Sequence, residues 1–308
     1  MTQPKITILL RRFGMTGGPA VFRNRLFKAL GECPKVTIRE SPSDKYNVEL
    51  SFISLPRSFR KPIVVRVDGC YYLPKQLKNN KPISQALAKA DCVIFQSEFS
   101  RKMCLRILKR GPKLDYVIHN GIDFSYVDAI PAAKNIEPGS LVCCAGWRHN
   151  KRLKSIVHGF LHANTGRHLY VIGKHSHYYS FQHPTIHWLG DLTSEKALSV
   201  MKACSYLIHL CHIDSCPNTV IEGLACGLPV LCTNLGGTKE IVGDRGVVLP
   251  VDRWDFLPKD FNDLDNLTPD IVAAGIHQLM KGTYNVTRDH LDMRVVAQKY
   301  ATVCRAIS

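Results

Sequence analysis

Residues 209–232 read HLCHIDSCPNTVIEGLACGLPVLC, and this stretch predicts a strand, a loop, a helix and a second strand. The apolar runs at its two ends have the length of strands, whereas Pro217 to Cys226 has the apolar spacing of a helix. Pro217 suits the first turn of that helix, where a missing N–H breaks no hydrogen bond. A strand, helix and strand in this order indicate one βαβ unit of a parallel sheet.

Two carboxylates frame the predicted helix. Asp214 lies just before it and Glu222 lies one to two turns inside it, so both can reach one pocket at opposite ends of an extended ligand. The backbone N–H groups near Asn218 and Thr219 face the strand edge, and the helix dipole favours an anion there. Because carboxylates accept hydrogen bonds from sugar hydroxyls, the stretch predicts a site for a diphosphate joined to a sugar.

A second motif places cations after a strand. Residues 145–154 read AGWRHNKRLK, where an apolar strand ends, a turn follows and a helix begins. Cations at the start of a helix oppose its dipole, which suggests that they serve another purpose. Fixed cations stabilise the charge that develops on a leaving diphosphate. The alternative is a basic helix start whose side chains are simply solvated.

The rest of the chain repeats the alternation of short apolar runs and helical patterns, which predicts an α/β protein with two Rossmann-like, doubly wound domains. The predicted strands are Lys5 to Leu10, Asn47 to Phe52, Pro62 to Val67, Cys92 to Phe95, Asp115 to Ile118, Leu141 to Ala145, His168 to Ile172, Tyr206 to Leu210, Leu228 to Cys232 and Gly246 to Leu249. The predicted helices are Pro19 to Leu30, Ile83 to Ala90, Glu98 to Lys109, Leu153 to Ala163, Ser194 to Cys204, Pro217 to Cys226 and Pro269 to Met280.

A linker interrupts this alternation at residues 131–140, which read PAAKNIEPGS and contain two prolines and a glycine. We therefore predict a first domain over residues 1–130 and a second over residues 131–290. Residues 291–308 form a predicted final helix. Two doubly wound domains that face a cleft would present the carboxyl ends of their strands to a ligand.

The stretch 209–232 resembles the carboxylate-x7-carboxylate motif of family 4 retaining glycosyltransferases, also called glycosyl transferases group 1. Residues 225–230 and 236–241 also resemble that family. The resemblance implies the GT-B fold, with a nucleotide-sugar donor in the second domain and the acceptor in a first domain that is shorter than the family norm. The resemblance further implies that the final helix, residues 291–308, packs back on the first domain. It also implies that Glu222 holds the ribose and that Asp214 faces the transferred sugar, although the usual first residue is the longer Glu.

The same resemblance assigns further positions. Arg148 and Lys151 correspond to the Arg/Lys pair that grips the donor phosphates, and Arg152 or Lys154 would substitute if the register slips. After the first strand, residues 12–20 read RFGMTGGPA, which lacks the G-x-G-x-x-G spacing of nicotinamide sites. Its Gly17 and Gly18 resemble the paired glycines of the family. Asp68 stands where many relatives carry a His that faces the sugar.

The function implied is retaining transfer of a sugar from a UDP- or GDP-sugar to a hydroxyl of a glycan, a lipid or a protein-linked sugar. No cofactor and no metal are expected, because protein cations neutralise the phosphate. Two alternatives remain open. One is another enzyme of the same fold, such as a sugar-nucleotide epimerase or a glycan phosphorylase, and the other is a non-catalytic protein that binds an anionic surface.

Charge and cysteine content bear on partners and compartment. Residues 1–130 hold 23 Lys and Arg against 10 Asp and Glu, whereas residues 131–308 hold 18 against 15. This excess indicates solubility alone or an anionic partner, which could be a membrane surface, an acidic glycan or nucleic acid. We expect peripheral membrane contact and no nucleic acid.

The 12 cysteines show no C-x-x-C spacing, and no apolar run approaches the length of a membrane span. A cytoplasmic protein is therefore expected.

Three further patterns have competing interpretations. The predicted helix that begins at Glu98 carries basic residues beside apolar ones, which fits a surface helix or an interfacial one. A zinc site from His175, His177, Cys211, His212 and Cys216 is not predicted, because their spacings match no zinc template. Asp263 and Asp265 are interpreted as a solvated turn.

Overall fold

The computed structural model describes residues 4–11, 17–42, 45–59, 62–174, 182–250, 253–258, 260, 267–287 and 289–308. The chain forms two compact units. Unit 1 comprises Met1–Asp123, Asp255–Asp260 and Asp289–Ser308, and unit 2 comprises Phe124–Trp254 and Phe261–Arg288. The stretch predicted as a linker, residues 131–140, therefore lies inside unit 2.

Unit 1 is built on a six-stranded sheet in which every pair of neighbouring strands is parallel. The strand order is β2-β1-β3-β4-β5-β6, so the order reverses between β1 and β3 as in flavodoxin-like sheets. The strands are β1 (Ile6–Leu9), β2 (Val36–Arg39), β3 (Val48–Phe52), β4 (Ile63–Val67), β5 (Cys92–Phe95) and β6 (Asp115–Val117).

Helices cover both faces of this sheet, namely α1 (Gly18–Glu32), α2 (Lys81–Lys89), α3 (Glu98–Leu108) and α10 (Met293–Ile307). Helix α10 shares one apolar core with α1 and the first strands, and its buried Tyr300 ring lies 6.0 Å from the ring of Phe22. In α3 the apolar residues Phe99 and Met103 are buried. The apolar side of α3 therefore packs into unit 1, which supports the surface-helix interpretation over the interfacial one.

Unit 2 has a second six-stranded parallel sheet with the order β12-β11-β10-β7-β8-β9. Counted within the unit, this is the Rossmann order 3-2-1-4-5-6, and the order reverses between β7 and β10. Its strands are β7 (Leu141–Cys144), β8 (Leu169–Ile172), β9 (Ile186–Gly190), β10 (Tyr206–His209), β11 (Val230–Thr233) and β12 (Gly246–Leu249). The prediction of two doubly wound Rossmann-like domains is thus confirmed.

The helices of unit 2 are α4 (Phe124–Ala129), α5 (Leu153–Ala163), α6 (Ser194–Ala203), α7 (Asn218–Ala225), α8 (Thr238–Val242) and α9 (Pro269–Lys281). Helices α5 and α9 pack closely, since a Cβ added to Gly159 would lie 2.3 Å from the Val272 side chain. The buried faces of α5, α9 and the central strands form one core. None of the described helices combines the length and the apolar character needed to cross a membrane.

Among the strands and α-helices of the described residues, four were absent from the sequence-based prediction, and all four are short or lie at the edges of the sheets. Strands β2 and β9 lie at sheet edges, where side chains are only partly buried, so their sequences lack the continuous apolar run of a central strand. Helices α4 and α8 have six and five residues. Pro217 is the N-cap of α7 and not part of the helix itself.

Candidate functional site

Two loops meet where the strand order of unit 2 reverses. Strands β7 and β10 are hydrogen-bonded neighbours, and the chain leaves them toward opposite halves of the sheet. In open α/β sheets this reversal opens a crevice at the carboxyl ends of the strands, where ligands bind. Seven of the predicted site residues lie on the two connections that start there: Arg148, Lys151 and Lys154 after β7, and Asp214, Asn218, Thr219 and Glu222 after β10.

An ion pair joins the two connections directly. Lys151 Nζ donates a hydrogen bond to Asp214 Oδ2 over 2.6 Å, although the two residues are 63 positions apart in the sequence. The two side chains are only 13% and 20% exposed. The structure therefore brings a predicted phosphate cation and a predicted sugar carboxylate into contact.

Lys151 and Asp214 each keep the other ionised. Burial disfavours the ionised carboxyl, but Lys151, His209 and the backbone N–H of Cys216 outweigh it and lower the pKa of Asp214. Burial likewise disfavours the ammonium, but Asp214 and Cys211 keep the pKa of Lys151 above its usual value. Both residues are therefore charged at neutral pH.

A short turn after β7 is fastened to the loop after β10. The His212 N–H donates to the Asn150 carbonyl oxygen over 2.8 Å, and Asn150 Nδ2 lies 3.6 Å from Cys211 Sγ. Arg152 is buried, with a left-handed φ of 53°, and its guanidinium lies 3.4 Å from His212 Nδ1. Arg152 therefore helps to hold the two loops together, whereas Arg148 and Lys154 are exposed cations.

The backbone around Asp214 is tightly constrained. Ile213 has a φ of 56°, which is unfavourable for a β-branched residue and marks stored strain beside the carboxylate. The Gly237 N–H donates to the Asp214 carbonyl oxygen over 2.8 Å. Gly236 has a φ of +112°, and a Cβ there would lie 2.8 Å from the same oxygen. The glycines of residues 236–241, noted in the sequence, thus allow α8 to approach this loop.

Helix α7 directs its first two turns toward the end of β7. Asn218 and Thr219 are its first two residues, at the end of the helix where the N–H groups point out of the helix. Burial and the charge of Glu222 raise the pKa of Cys144, the last residue of β7, to about 12, while a hydrogen bond with Thr219 opposes them. Glu222 and Thr219 therefore face the same sheet edge as the Lys151–Asp214 pair.

A histidine and a cysteine complete this cluster, and their spacing gave no sign of it. Ligand atoms of His209, Cys211 and Asp214 all lie within 4.8 Å of one another. His209 is buried at the end of β10, and its Nε2 lies 3.9 Å from Asp214 Oδ2. The sequence did not single out His209, because spacing alone could not show that the Lys151 ammonium lies among these groups.

In unit 1, Asp68 follows β4 at the carboxyl edge of the sheet. Its carboxylate pairs with Arg66, a fully buried residue whose guanidinium stacks 4.2 Å from the ring centroid of Phe22. Arg66 also donates to Asn120 Oδ1 over 2.7 Å. Burial raises the pKa of Asp68, and Arg66 together with Gln96 opposes that effect. Asp68 is therefore a fixed carboxylate that remains partly exposed.

The glycine-rich loop is described only at its end. Gly17 is the N-cap of α1 with φ 70° and ψ −151°, a conformation open to glycine, and Gly18 is the first residue of the helix. Residues 12–16 lie outside the described part of the chain. The same holds for His175 and His177 and for Asp263 and Asp265, so those predictions stay predictions.

A family profile matches part of the sequence, and solved structures match the fold. Residues 139–261 match the profile of the family described as glycosyl transferases group 1. This match covers both loops of the site and confirms the resemblance that the sequence predicted for this part of the chain. No curated protein sequence matches the chain.

Solved structures match almost the whole chain at low identity. HepE from Anabaena, crystallised in complex with UDP-glucose, is 14% identical with a TM-score of 0.62, covering 98% of this chain and 100% of that one. Sucrose-phosphate synthase from Thermosynechococcus elongatus is 15% identical with a TM-score of 0.67, covering 98% and 99%. A glycosyltransferase from Rickettsia africae is 15% identical with a TM-score of 0.61, covering 98% of each chain.

These likenesses define the fold of the protein. The fold is that of GT-B glycosyltransferases, with two Rossmann-like domains. The second of these domains contains residues 139–261, which match the glycosyl transferases group 1 profile, and that segment holds the Lys151–Asp214 pair.

Proposed function

We propose that this protein is a retaining glycosyltransferase that takes a sugar from a UDP- or GDP-sugar and passes it to an acceptor hydroxyl. The observation that carries the proposal is the Lys151–Asp214 contact at the strand-order reversal of unit 2. It combines a cation for a diphosphate with a carboxylate for sugar hydroxyls, and it lies within the segment that matches the transferase family.

The donor would lie along the carboxyl edge of the unit 2 sheet. Arg148 and Lys151 would bind the diphosphate, with exposed Lys154 nearby in the first turn of α5. The first N–H groups of α7, at Asn218 and Thr219, add a favourable dipole for the same anion. Glu222 would accept hydrogen bonds from the ribose, and Asp214 would accept them from the transferred sugar. The Anabaena neighbour bound to UDP-glucose supports a uridine donor.

The chemistry follows from these charges. The bond between the sugar carbon and the diphosphate oxygen breaks, and the electron pair leaves with the nucleoside diphosphate. The acceptor oxygen bonds to the same face of that carbon, and its proton passes to the departing phosphate, so the configuration is retained. Arg148 and Lys151 stabilise the negative charge that grows on the phosphate. Because these cations are part of the chain, no divalent metal is needed.

Unit 1 would supply the acceptor side, for a glycan or a lipid-linked sugar. Asp68, fixed by Arg66 and still partly exposed, would accept a hydrogen bond from a sugar hydroxyl. Gly17 and Gly18 leave the backbone open to a phosphate or a sugar, since in the described part of the chain, the adjacent residues aside, no atom lies within 4 Å of a Cβ added at Gly17.

Turnover and stereochemistry test the function together. UDP-α-glucose and GDP-α-mannose are incubated with the enzyme, a mixed set of glycan and lipid-linked acceptors, and either EDTA or MgCl₂. We expect release of nucleoside diphosphate that depends on the acceptor, an α-linked product by NMR and equal rates with and without EDTA. A β-linked product would exclude retention, and a rate abolished by EDTA would exclude the metal-free mechanism. Release that is independent of acceptor would instead favour hydrolysis or epimerisation.

The compartment and the surface partner form a separate part of the proposal. All 12 cysteines are free, which supports a reducing, cytoplasmic environment.

At the end of α3 and just beyond it, Lys109, Arg110 and Lys113 are exposed beside exposed Leu114 and Tyr116. Cations interleaved with apolar side chains suit an anionic membrane surface. Sedimentation with phosphatidylglycerol vesicles but not with phosphatidylcholine vesicles, lost in a Lys109→Glu/Lys113→Glu variant, is the expected result, and equal sedimentation with both would oppose it.

A further inference from the structure

His209 is a buried histidine beside Asp214 whose ring nitrogen Nε2 makes no hydrogen bond within the described part of the chain that would explain its position. It ends strand β10 and is 5% exposed. Its Nε2 lies 3.9 Å from Asp214 Oδ2, which is too far for a hydrogen bond. Among the residues that the structure describes, this buried nitrogen has no hydrogen-bond partner. Buried polar atoms are rarely left in this state, and the exceptions often have a functional reason.

The environment keeps the imidazole neutral. Burial and the neighbouring Lys151 ammonium lower the pKa of His209 to about 3, and Asp214 only partly opposes them. A neutral imidazole carries one N–H and can place it on either nitrogen. With the proton on Nε2, the ring presents a donor toward the carboxylate of Asp214.

The oxygen that faces His209 is already occupied. Asp214 Oδ2 accepts the hydrogen bond of the Lys151 ammonium at 2.6 Å, and the same oxygen is the one nearest to His209 Nε2. In the proposed function, the donor diphosphate attracts the Lys151 ammonium. Asp214 would then share or lose its strongest partner just when its carboxylate must bind the sugar. A shift of about 1 Å would bring Oδ2 within hydrogen-bond distance of Nε2.

We propose that His209 is a positioning residue that replaces Lys151 as the hydrogen-bond donor to Asp214 when the diphosphate binds Lys151. Its Nε2–H then donates to Oδ2 and holds the carboxylate toward the transferred sugar. This inference rests on the proposed function, because it needs an anion that draws Lys151 away. It assigns to His209 an effect on the sugar part of the donor and none on the nucleotide part.

Two substitutions separate this role from simple packing. In His209→Gln the side-chain amide nitrogen falls near the position of Nε2, whereas in His209→Asn it falls near Nδ1. The measured quantity is the pair of dissociation constants for UDP and for UDP-glucose, by calorimetry with EDTA present. Thermal unfolding followed by tryptophan fluorescence checks that both variants are folded.

We expect both variants to bind UDP within about twofold of the wild type. His209→Asn should bind UDP-glucose about tenfold more weakly, while His209→Gln stays within about threefold. In an Asp214→Asn background, adding His209→Asn should change UDP-glucose binding less than twofold, because His209 acts through that carboxylate.

Other outcomes overturn the inference in distinguishable ways. If the wild type binds neither UDP nor UDP-glucose, the uridine donor site itself is wrong and the inference falls with it. If the wild type binds both and the Gln and Asn variants lose UDP-glucose binding equally, His209 acts by packing alone. An additive loss in the Asp214→Asn background would show that His209 does not act through Asp214.

Discussion

Replacing Lys151 by methionine would leave a buried carboxylate without its cation. At the observed distance of 2.6 Å, an effective dielectric constant of about 20 gives a gross attraction of about 6 kcal/mol. Desolvation of the two groups offsets much of that attraction, but removing only one partner of a buried pair costs about 3 kcal/mol or more. The side chains of Lys151 and Asp214 keep 13% and 20% of their exposure, so some water remains and we expect a loss of about 2 to 3 kcal/mol.

The assay exploits the tryptophans. The chain has 3 tryptophans, and Trp147, Trp188 and Trp254 all lie in unit 2. Guanidinium unfolding followed by tryptophan fluorescence therefore reports on the unit that contains the pair. The double variant Lys151→Met/Asp214→Asn removes both charges and should recover most of the loss. Lys154→Met removes an exposed cation three positions along and should change stability by less than about 0.5 kcal/mol.

The loss should also depend on pH. The folded structure lowers the pKa of Asp214, so the carboxylate adds stability at pH values above its unfolded pKa of about 3.9. This stability disappears as the pH falls through the lower folded pKa. In Lys151→Met the burial that remains raises the pKa of Asp214, so the deficit seen at pH 7 should shrink as the pH approaches 4. Equal effects of Lys151→Met and Lys154→Met, or a deficit that is constant down to pH 4, would refute the reasoning.

Further predictions concern the two sheets. Gly173→Ala should destabilise unit 2 by more than about 2 kcal/mol in the same fluorescence assay, because Gly173 has a φ of +110° and the new Cβ would lie 1.9 Å from the Ala145 carbonyl oxygen; an unchanged unfolding midpoint would contradict this. Arg66→Leu should destabilise unit 1 by about 3 kcal/mol in unfolding followed by circular dichroism, because it leaves the Asp68 carboxylate without its cation. Arg66→Leu/Asp68→Asn should recover part of this loss. No recovery would show that Arg66 acts through its stacking on Phe22. Arg148→Ala should weaken UDP binding about tenfold with an unchanged melting temperature, because Arg148 is exposed; unaltered binding would remove Arg148 from the phosphate site.

The sequence revealed the elements of the site more readily than their contacts. Continuous apolar runs identified β7 and β10 and their following helices, since both strands are buried on both faces. The Lys151–Asp214 contact joins residues 63 positions apart, so it depends on the pairing of β7 with β10, which local periodicity does not encode. His209 was overlooked for the same reason, because within the apolar run it resembles an ordinary strand residue. Arg152 was ranked with the other cations, because only the left-handed turn shows that its side chain points toward His212 in the loop after β10.

The central claim is that unit 2 holds a nucleoside diphosphate through Glu222 and the cations after β7. Calorimetric titration of UDP, GDP and ADP, with EDTA present, into the wild type, Glu222→Ala and Glu195→Ala tests it most directly. Glu195 is an exposed carboxylate in the first turn of α6 and serves as the matched control. We predict that one nucleotide binds the wild type and Glu195→Ala alike, and binds Glu222→Ala at least about tenfold more weakly. Absence of binding by all three nucleotides, or equal binding to all three proteins, would contradict the account.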